Sequence, residues 1–339
     1  MSLIRYIYDA CKDVPTIQSI LEQYFQESRN ARFYSMFSFL ICRSLGGEET
    51  QADNFARVME AFFLATSIHD DIMDQYDSAL SKLEKNLSIS NNFIISGDLL
   101  FVELAKYFAL SVHGLPRQHI EQIAEKLEKH LFDIAESQIV DIIEQKGKIM
   151  SLSKVIKHIR QRGGLWGRMS FELAAMIANN TEHIEDISSF GLIGEKFYMG
   201  LTLRDDLEDI QDDMANQVYT YPICWLFENK DDPGLKTVLN EDDYIFIEQI
   251  SQNPDLISKN QVRILQILDK TRAIDITAQE AQKYLQDAQK LMIQLLEKRA
   301  ERSYGRWMLF QQLMRGSNTQ IIQTANLLKK QILELKKEG

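Results

Sequence analysis

Proline and glycine are scarce, with 5 and 15 among 339 residues. So few chain breakers leave long stretches free to remain helical. Alternating Val, Thr and Tyr runs are also rare. Apolar residues instead recur at three- and four-residue intervals, which predicts a nearly all-helical chain. Cysteine is limited to Cys11, Cys42 and Cys224, scattered and without a CxxC pair. That excludes a disulfide framework and fits buried thiols in a reducing compartment. Positive charge is short: 38 Lys and Arg stand against 49 Asp and Glu, a net charge of −11. A nucleic-acid partner needs a basic surface and is therefore not expected. A small anion stays possible, because a bound metal could neutralise it locally. Apolar runs such as Phe37–Cys42 are far too short to span a membrane. The N-terminus lacks a basic-then-apolar signal pattern, so a cytoplasmic protein is expected.

With 45% hydrophobic residues, the chain can build one large core or two modest ones. Short helices are expected over residues 16–28 and from Asn30 to the glycine stop at Leu45–Gly46–Gly47. The most informative stretch follows, residues 54–77. It is apolar on nearly every side, as a buried helix is, until it ends in Asp70, Asp71 and Asp74. Positions four apart share a helix face, so Asp70 and Asp74 aim at one point with Asp71 beside them. A polar bridge, Ser78–Asn92, leads to a helix from Phe93 that holds Gly97–Asp98. A long helix over 117–146 carries Gln138 and Asp141 on its apolar face, where they brace a core or face a cavity. Gly163–Gly164 predicts a loosened turn into a buried helix over 161–178. The helix expected over 185–214 holds a second acidic set, Asp205, Asp206 and Asp209, with the same offsets, followed by Asp212 and Asp213. Residues 229–262, with Pro233 and Pro254, read as a surface excursion. Helix returns over 275–300. No solenoid repeat is present. Residues 1–315 are expected to form one all-helical domain. Residues 316–339 are expected to be an amphipathic helix that packs on the body, pairs with a second subunit or lies on a membrane surface.

Two acidic sets facing each other across a helical bundle would repel unless cations lay between them. Oxygen donors of this kind suit Mg²⁺ holding a polyanion such as a diphosphate. A metal-bound diphosphate is a good leaving group. No nucleophilic residue is then required, and no Ser or Cys lies in a recognisable nucleophile setting. The carbocation left behind would be shielded by Phe62, Phe63, Phe101, Phe171 and Tyr198. His69–Asp70 also raises the His-Asp doublet of metal phosphohydrolases. Such sites use an upstream histidine, and His69 is the first in the chain.

The order of these pieces resembles the trans-isoprenyl diphosphate synthases, or polyprenyl synthetases, over roughly residues 25–300. The matching parts are Arg29-x-x-Arg32, Leu45–Gly46–Gly47, Ile68–His69–Asp70–Asp71–Ile72–Met73–Asp74, Ser96–Gly97–Asp98–Leu99–Leu100 and Gln138-x-x-Asp141. Gly163–Gly164–Leu165–Trp166, Arg204–Asp205–Asp206–Leu207–Glu208–Asp209 and Thr220–Tyr221–Pro222 complete the series. The resemblance implies an all-α, isoprenoid synthase-type bundle around a deep central cavity, as a homodimer. It implies roughly three Mg²⁺ ions on the six aspartates, holding an allylic diphosphate. It assigns Arg29, Arg32, Gln138, Arg162 and Arg204 to substrate binding. The implied reaction is ionisation, attack by the double bond of isopentenyl diphosphate, and proton loss. Phe62, Ala65 and Thr66 share the face that floors the family's tail pocket, and suggest a tail of about fifteen to twenty carbons.

The departures lie on the phosphate side. Arg29 stands where the family has lysine, and can still bind phosphate bidentately. Phe63 stands where the family has a histidine for isopentenyl diphosphate. The Arg-Arg pair after the first acidic set is missing, with Lys82 or Lys85 as possible substitutes. Gln161–Arg162 replaces Lys-Thr, Leu201–Thr202 replaces Phe-Gln, and Gln217–Val218 replaces Gly-Lys after a shortened loop. Three alternatives to chain elongation keep the fold. One is a terpene-synthase-like enzyme. Another is a prenyltransferase with a different acceptor, as in relatives that prenylate bacterial pheromone peptides. The last is a non-catalytic subunit, although such a subunit has little reason to retain six aspartates.

Overall fold

The computed structural model describes residue 11 and residues 13–27, 29–73, 87–144, 147–178, 184–297 and 304–338. Among these every regular element is helical. The order begins α1 (Pro15–Glu27), α2 (Arg29–Ser44), α3 (Glu49–Met73), α4 (Leu87–Ser111), α5 (Arg117–Glu144) and α6 (Leu152–Ile159). A π-helical turn (Arg160–Gly164) joins α6 to α7 (Leu165–Ala178). Then come α8 (Ile184–Glu208), α9 (Ile210–Ala215), α10 (Tyr221–Asn229), α11 (Pro233–Val238) and α12 (Glu241–Gln252). The last four are α13 (Leu256–Lys259), α14 (Gln261–Lys270), α15 (Ala273–Glu297) and α16 (Tyr304–Glu338). The chain divides into two compact units. One is Met1–Lys126, Ser170–Ile187 and Glu301–Trp307; the other is Leu127–Met169, Ser188–Ala300 and Met308–Gly339.

In the first unit α3 is the central rod. Ala52, Phe55, Val58, Met59, Ala61, Phe62, Leu64, Ala65 and Ile68 are all buried, so no broad polar face remains. That matches a sequence apolar on nearly every side. Phe37 and Phe171 meet at 5.9 Å between ring centroids and are fully buried. Each such ring contributes about 1.5–3 kcal/mol of burial. The α2 helix ends where the glycines predicted. Gly46 takes φ +93°, and Gly47 N–H reaches back to the Cys42 carbonyl at 3.0 Å, satisfying an otherwise orphaned acceptor. A side chain on Gly47 would strike Cys42 Sγ at 2.6 Å and Ala178 Cα at 3.0 Å.

In the second unit Phe190, Phe197 and Tyr219 are fully buried, and α16 contributes a continuous stripe. Met314, Ser317, Ile321, Ala325, Leu328 and Ile332 recur at three and four and are all buried. Helix α16 therefore packs on its unit along one face. It begins at Tyr304, so the boundary expected between 315 and 316 falls inside it.

Three expectations about the elements change. The bridge before α4 is shorter, since helix already begins at Leu87. Residues 229–262 are not irregular: α11, α12 and α13 occupy them. Pro233 opens α11 at a position where its missing N–H costs nothing, with Asp232 accepting from Gly234 N–H at 2.7 Å. Asn240 caps α12 by accepting from Asp243 N–H at 2.7 Å. The helix expected over 185–214 bends at Asp209, between α8 and α9. Asp209 N–H still donates to the Asp205 carbonyl at 2.9 Å, so the four-residue relation between the two aspartates survives the bend.

Candidate functional site

The first acidic set lies at the C-terminal end of α3. Asp70 is half-buried there. Asp74 lies outside the described residues, as do the side chains of Asp71, Arg29, Arg32 and Gln138. His69 sits against Gly97 of α4: a β-carbon on Gly97 would lie 2.4 Å from Nε2. His69 Nε2 is 3.7 Å from Asp98 Oδ1, and its ring lies 5.7 Å from that of Phe101. Gly97–Asp98 thus seats the residue immediately before Asp70. This use of the glycine was not deduced from the sequence, although a glycine followed by an acid inside an apolar helix was the available signal.

The expected tail-pocket residues keep to one side of α3. Phe62 and Ala65 are buried, and Phe62 meets Phe101 at 6.0 Å between centroids. The Thr66 hydroxyl donates back to the Phe63 carbonyl at 3.0 Å. Phe63 stacks on Tyr34 at 4.9 Å and 30°, so the position where the resemblance expects histidine is occupied by an aromatic pair.

The second acidic set lies where α8 ends. Backbone contact between α8 and the segment before it is made possible by glycine. A β-carbon on Gly163 would lie 1.9 Å from Thr202 Oγ1, and one on Gly167 would lie 2.2 Å from the Gly194 carbonyl oxygen. The expected turn at Gly163–Gly164 is a π-helical turn, a wider winding often found at functional sites. Glu195 of α8 grips both of its flanks. Its buried carboxylate accepts from Arg160 Nε and from Arg168 Nε, each at 2.7 Å. The turn projects Arg162 so that its Nη2 is 3.9 Å from Asp206 Oδ1.

Asp206 is 3% exposed and accepts from Tyr221 N–H, at the start of α10, at 3.3 Å. Burial pushes its carboxyl up to about 6, against the pull of Arg162. Burial also raises Asp209 to about 6, with Asp205 and Glu208 adding repulsion, and Asp213 to about 7, with Asp206 adding to it. Asp205 is raised by burial although Arg204 opposes this. Arg204 Nε and Nη2 both donate to Asp205 Oδ1, at 3.1 and 2.6 Å. Its Nη1 donates to Gln320 Oε1 of α16 at 3.2 Å. Thr220 Oγ1 is buried and has no partner among the described residues.

These carboxylates crowd one helix end with less positive charge than they need. Their hard oxygen donors fit a divalent cation such as Mg²⁺. Among the described residues no three metal-ligating side chains are already gathered at one point, so a cation would have to draw them together.

A family model described as polyprenyl synthetase matches residues 14–242. A geranylgeranyl pyrophosphate synthase of Geoglobus acetivorans is 24% identical over 190 residues, which are 56% of this chain. The match spans only 58% of that relative's length. A geranylgeranyl pyrophosphate synthetase structure from Pyrococcus horikoshii Ot3 superposes with a TM-score of 0.68 at 18% identity. It covers 96% of this chain and 94% of that one. A heptaprenyl diphosphate synthase structure from Staphylococcus aureus gives a TM-score of 0.63 at 17% identity, with coverage of 89% and 98%. The fold is thus the all-α isoprenoid synthase fold expected from the sequence. With the family pattern extending over most of its length, the chain belongs to the polyprenyl synthetase family.

Proposed function

We propose that this protein is a Mg²⁺-dependent prenyltransferase. It condenses an allylic prenyl diphosphate with isopentenyl diphosphate to a product of about fifteen to twenty carbons. The observation that carries this reading is the crowd of raised carboxylates, Asp205, Asp206, Asp209 and Asp213, beside Arg162. Such a crowd is costly alone and favourable once a cation and a polyanion complete it. Asp70, Asp71 and Asp74 supply the other half of the proposed ligand set, for roughly three Mg²⁺ ions in total.

Bound Mg²⁺ would supply Lewis acidity, holding the charge that builds on the diphosphate as it leaves. The remaining work falls to side chains. Arg162 and Arg204, with Arg29, Arg32 and Gln138, orient the diphosphate through charge-assisted hydrogen bonds. The C–O bond then breaks with its electron pair leaving on the diphosphate. Phe62 and Phe101 exclude water from the allylic cation, and their ring faces favour its charge. The acceptor double bond attacks that cation, and the adduct loses a proton. Phe62, Ala65 and Thr66 limit the growing tail.

The Phe63–Tyr34 stack favours a second reading. It puts hydrocarbon where a phosphate-binding histidine is expected, as suits an acceptor other than isopentenyl diphosphate or no acceptor at all. The proposed assembly is a homodimer. Its support is the row of exposed apolar side chains on α4: Ile95, Leu99, Val102 and Leu110, 40–65% exposed. The proposed location is the cytoplasm; no described helix is long and apolar enough to cross a membrane. The test is incubation with geranyl and farnesyl diphosphates, with and without isopentenyl diphosphate. A longer prenyl diphosphate supports elongation. A hydrocarbon or alcohol formed without the second substrate supports terpene-synthase chemistry. Absence of any product overturns both.

A further inference from the structure

Among the described residues the C-terminal helix reaches the second acidic set through one hydrogen bond. Gln320, one residue before the buried Ile321 of α16, accepts from Arg204 Nη1 at 3.2 Å. Farther along, Lys329 pairs with Asp275 of α15 and fixes the helix along its axis. Arg204 is itself 9% exposed. Its three nitrogens are therefore held on two sides. Nε and Nη2 converge on one oxygen of Asp205, Oδ1, while Nη1 is turned away to Gln320. Asp205 Oδ2 accepts no hydrogen bond from any described residue.

This geometry is unusual for the pair. A free guanidinium and carboxylate prefer two parallel hydrogen bonds, one to each oxygen. In that arrangement arginine would cover both oxygens of Asp205 and compete with any cation for them. We propose that Gln320 is a positioning residue: it holds Arg204 onto one oxygen of Asp205 and keeps the other available to a divalent cation. The C-terminal helix thereby sets the cation affinity of the second acidic set. This rests on the metal–diphosphate reading above, and adds to it a residue outside every acidic or basic motif of the sequence.

The test uses the full-length protein, with Mg²⁺ and inorganic diphosphate as the probe. Thermal stability is followed as Mg²⁺ is titrated at fixed diphosphate, with no prenyl substrate present. Gln320→Met keeps the length of the side chain and removes the acceptor. Its half-saturating Mg²⁺ concentration should rise about tenfold or more, the worth of one hydrogen bond to a charged group. The melting temperature without Mg²⁺ should stay close to that of the wild type. Gln320→Glu restores an acceptor for Nη1 and should restore the wild-type half-saturation. In an Arg204→Met background, Gln320→Met should have no further effect, because the group it orients is gone. A saturable wild-type response with an unshifted Gln320→Met curve overturns this proposal and leaves the metal–diphosphate reading standing. So does a shift that persists undiminished in the Arg204→Met background. A wild-type protein with no saturable response overturns both.

Discussion

Gly167 and Gly316 offer the same substitution in two opposite settings. Both lie in helices, where alanine is favoured over glycine by about 1 kcal/mol because it restricts the unfolded chain. Nothing lies within 4 Å of a β-carbon on Gly316, so Gly316→Ala should stabilise by about 0.5–1 kcal/mol. On Gly167 the added carbon meets the Gly194 carbonyl oxygen at 2.2 Å and its carbonyl carbon at 2.7 Å. These are backbone atoms of α8 and cannot rotate away. The two segments must part by roughly 1 Å, and overpacking of this kind costs about 1–3 kcal/mol, occasionally more. After the helix-propensity gain is credited, Gly167→Ala should destabilise by up to about 2 kcal/mol. The contrast between the two variants is then up to about 3 kcal/mol, within the reach of urea denaturation followed by circular dichroism. Parting α7 from α8 also moves Arg162 away from Asp206, so Gly167→Ala should lower turnover as well as stability, whereas Gly316→Ala should not. Equal effects of the two substitutions, or a stabilised Gly167→Ala, would refute the close backbone approach and everything placed by it.

Three further outcomes are expected. Asp205→Ala and Asp70→Ala should each abolish Mg²⁺-dependent diphosphate release, measured with a coupled phosphate assay; turnover retained in both would sink the metal site. Phe62→Ala removes the ring that meets Phe101 and should lengthen the product, read by chromatography of the dephosphorylated alcohols; an unchanged product spectrum would count against the tail-pocket assignment. Asp206 holds its proton up to about pH 6 when folded, against an ordinary carboxylate value when unfolded. The folded chain therefore binds that proton more tightly, and the ionised group opposes folding as pH rises, by at most about 3 kcal/mol above pH 6. Metal-free Asp206→Asn should lack this loss and melt higher than the wild type at pH 7.5, while the gap narrows through pH 6 and closes only below about pH 4, the unfolded carboxylate range. A constant difference across that range would show that its ionisation is not opposed.

The second acidic set was legible because two signals agreed, a buried helical period and a repeated spacing of carboxylates. The end of α2 was legible because glycine at a positive φ leaves few alternatives. Proline misled around α11 and α13, since Pro233 and Pro254 were read as interruptions. Pro233 in fact begins a helix, where its rigid φ and missing N–H are harmless. The contacts of Gln320 and Glu195 had no local signature. Each is an ordinary helical residue whose partners lie far along the chain, and only the packing of α16 and α7 against α8 brings them to the site.

The π-helical turn before α7 has a consequence for phase. A π turn closes each hydrogen bond one residue later than an α turn, so the helix after it is advanced by one position relative to the helix before it. Deleting a single residue there would let α6 and α7 run on as an ordinary helix, with every backbone bond still made. It would also rotate all of α6 by about a quarter turn relative to α7 and redirect its whole buried face. Length in this segment is therefore a form of address: one amide more or less decides which side chain is delivered to Asp206, and a change silent in composition would be loud in chemistry.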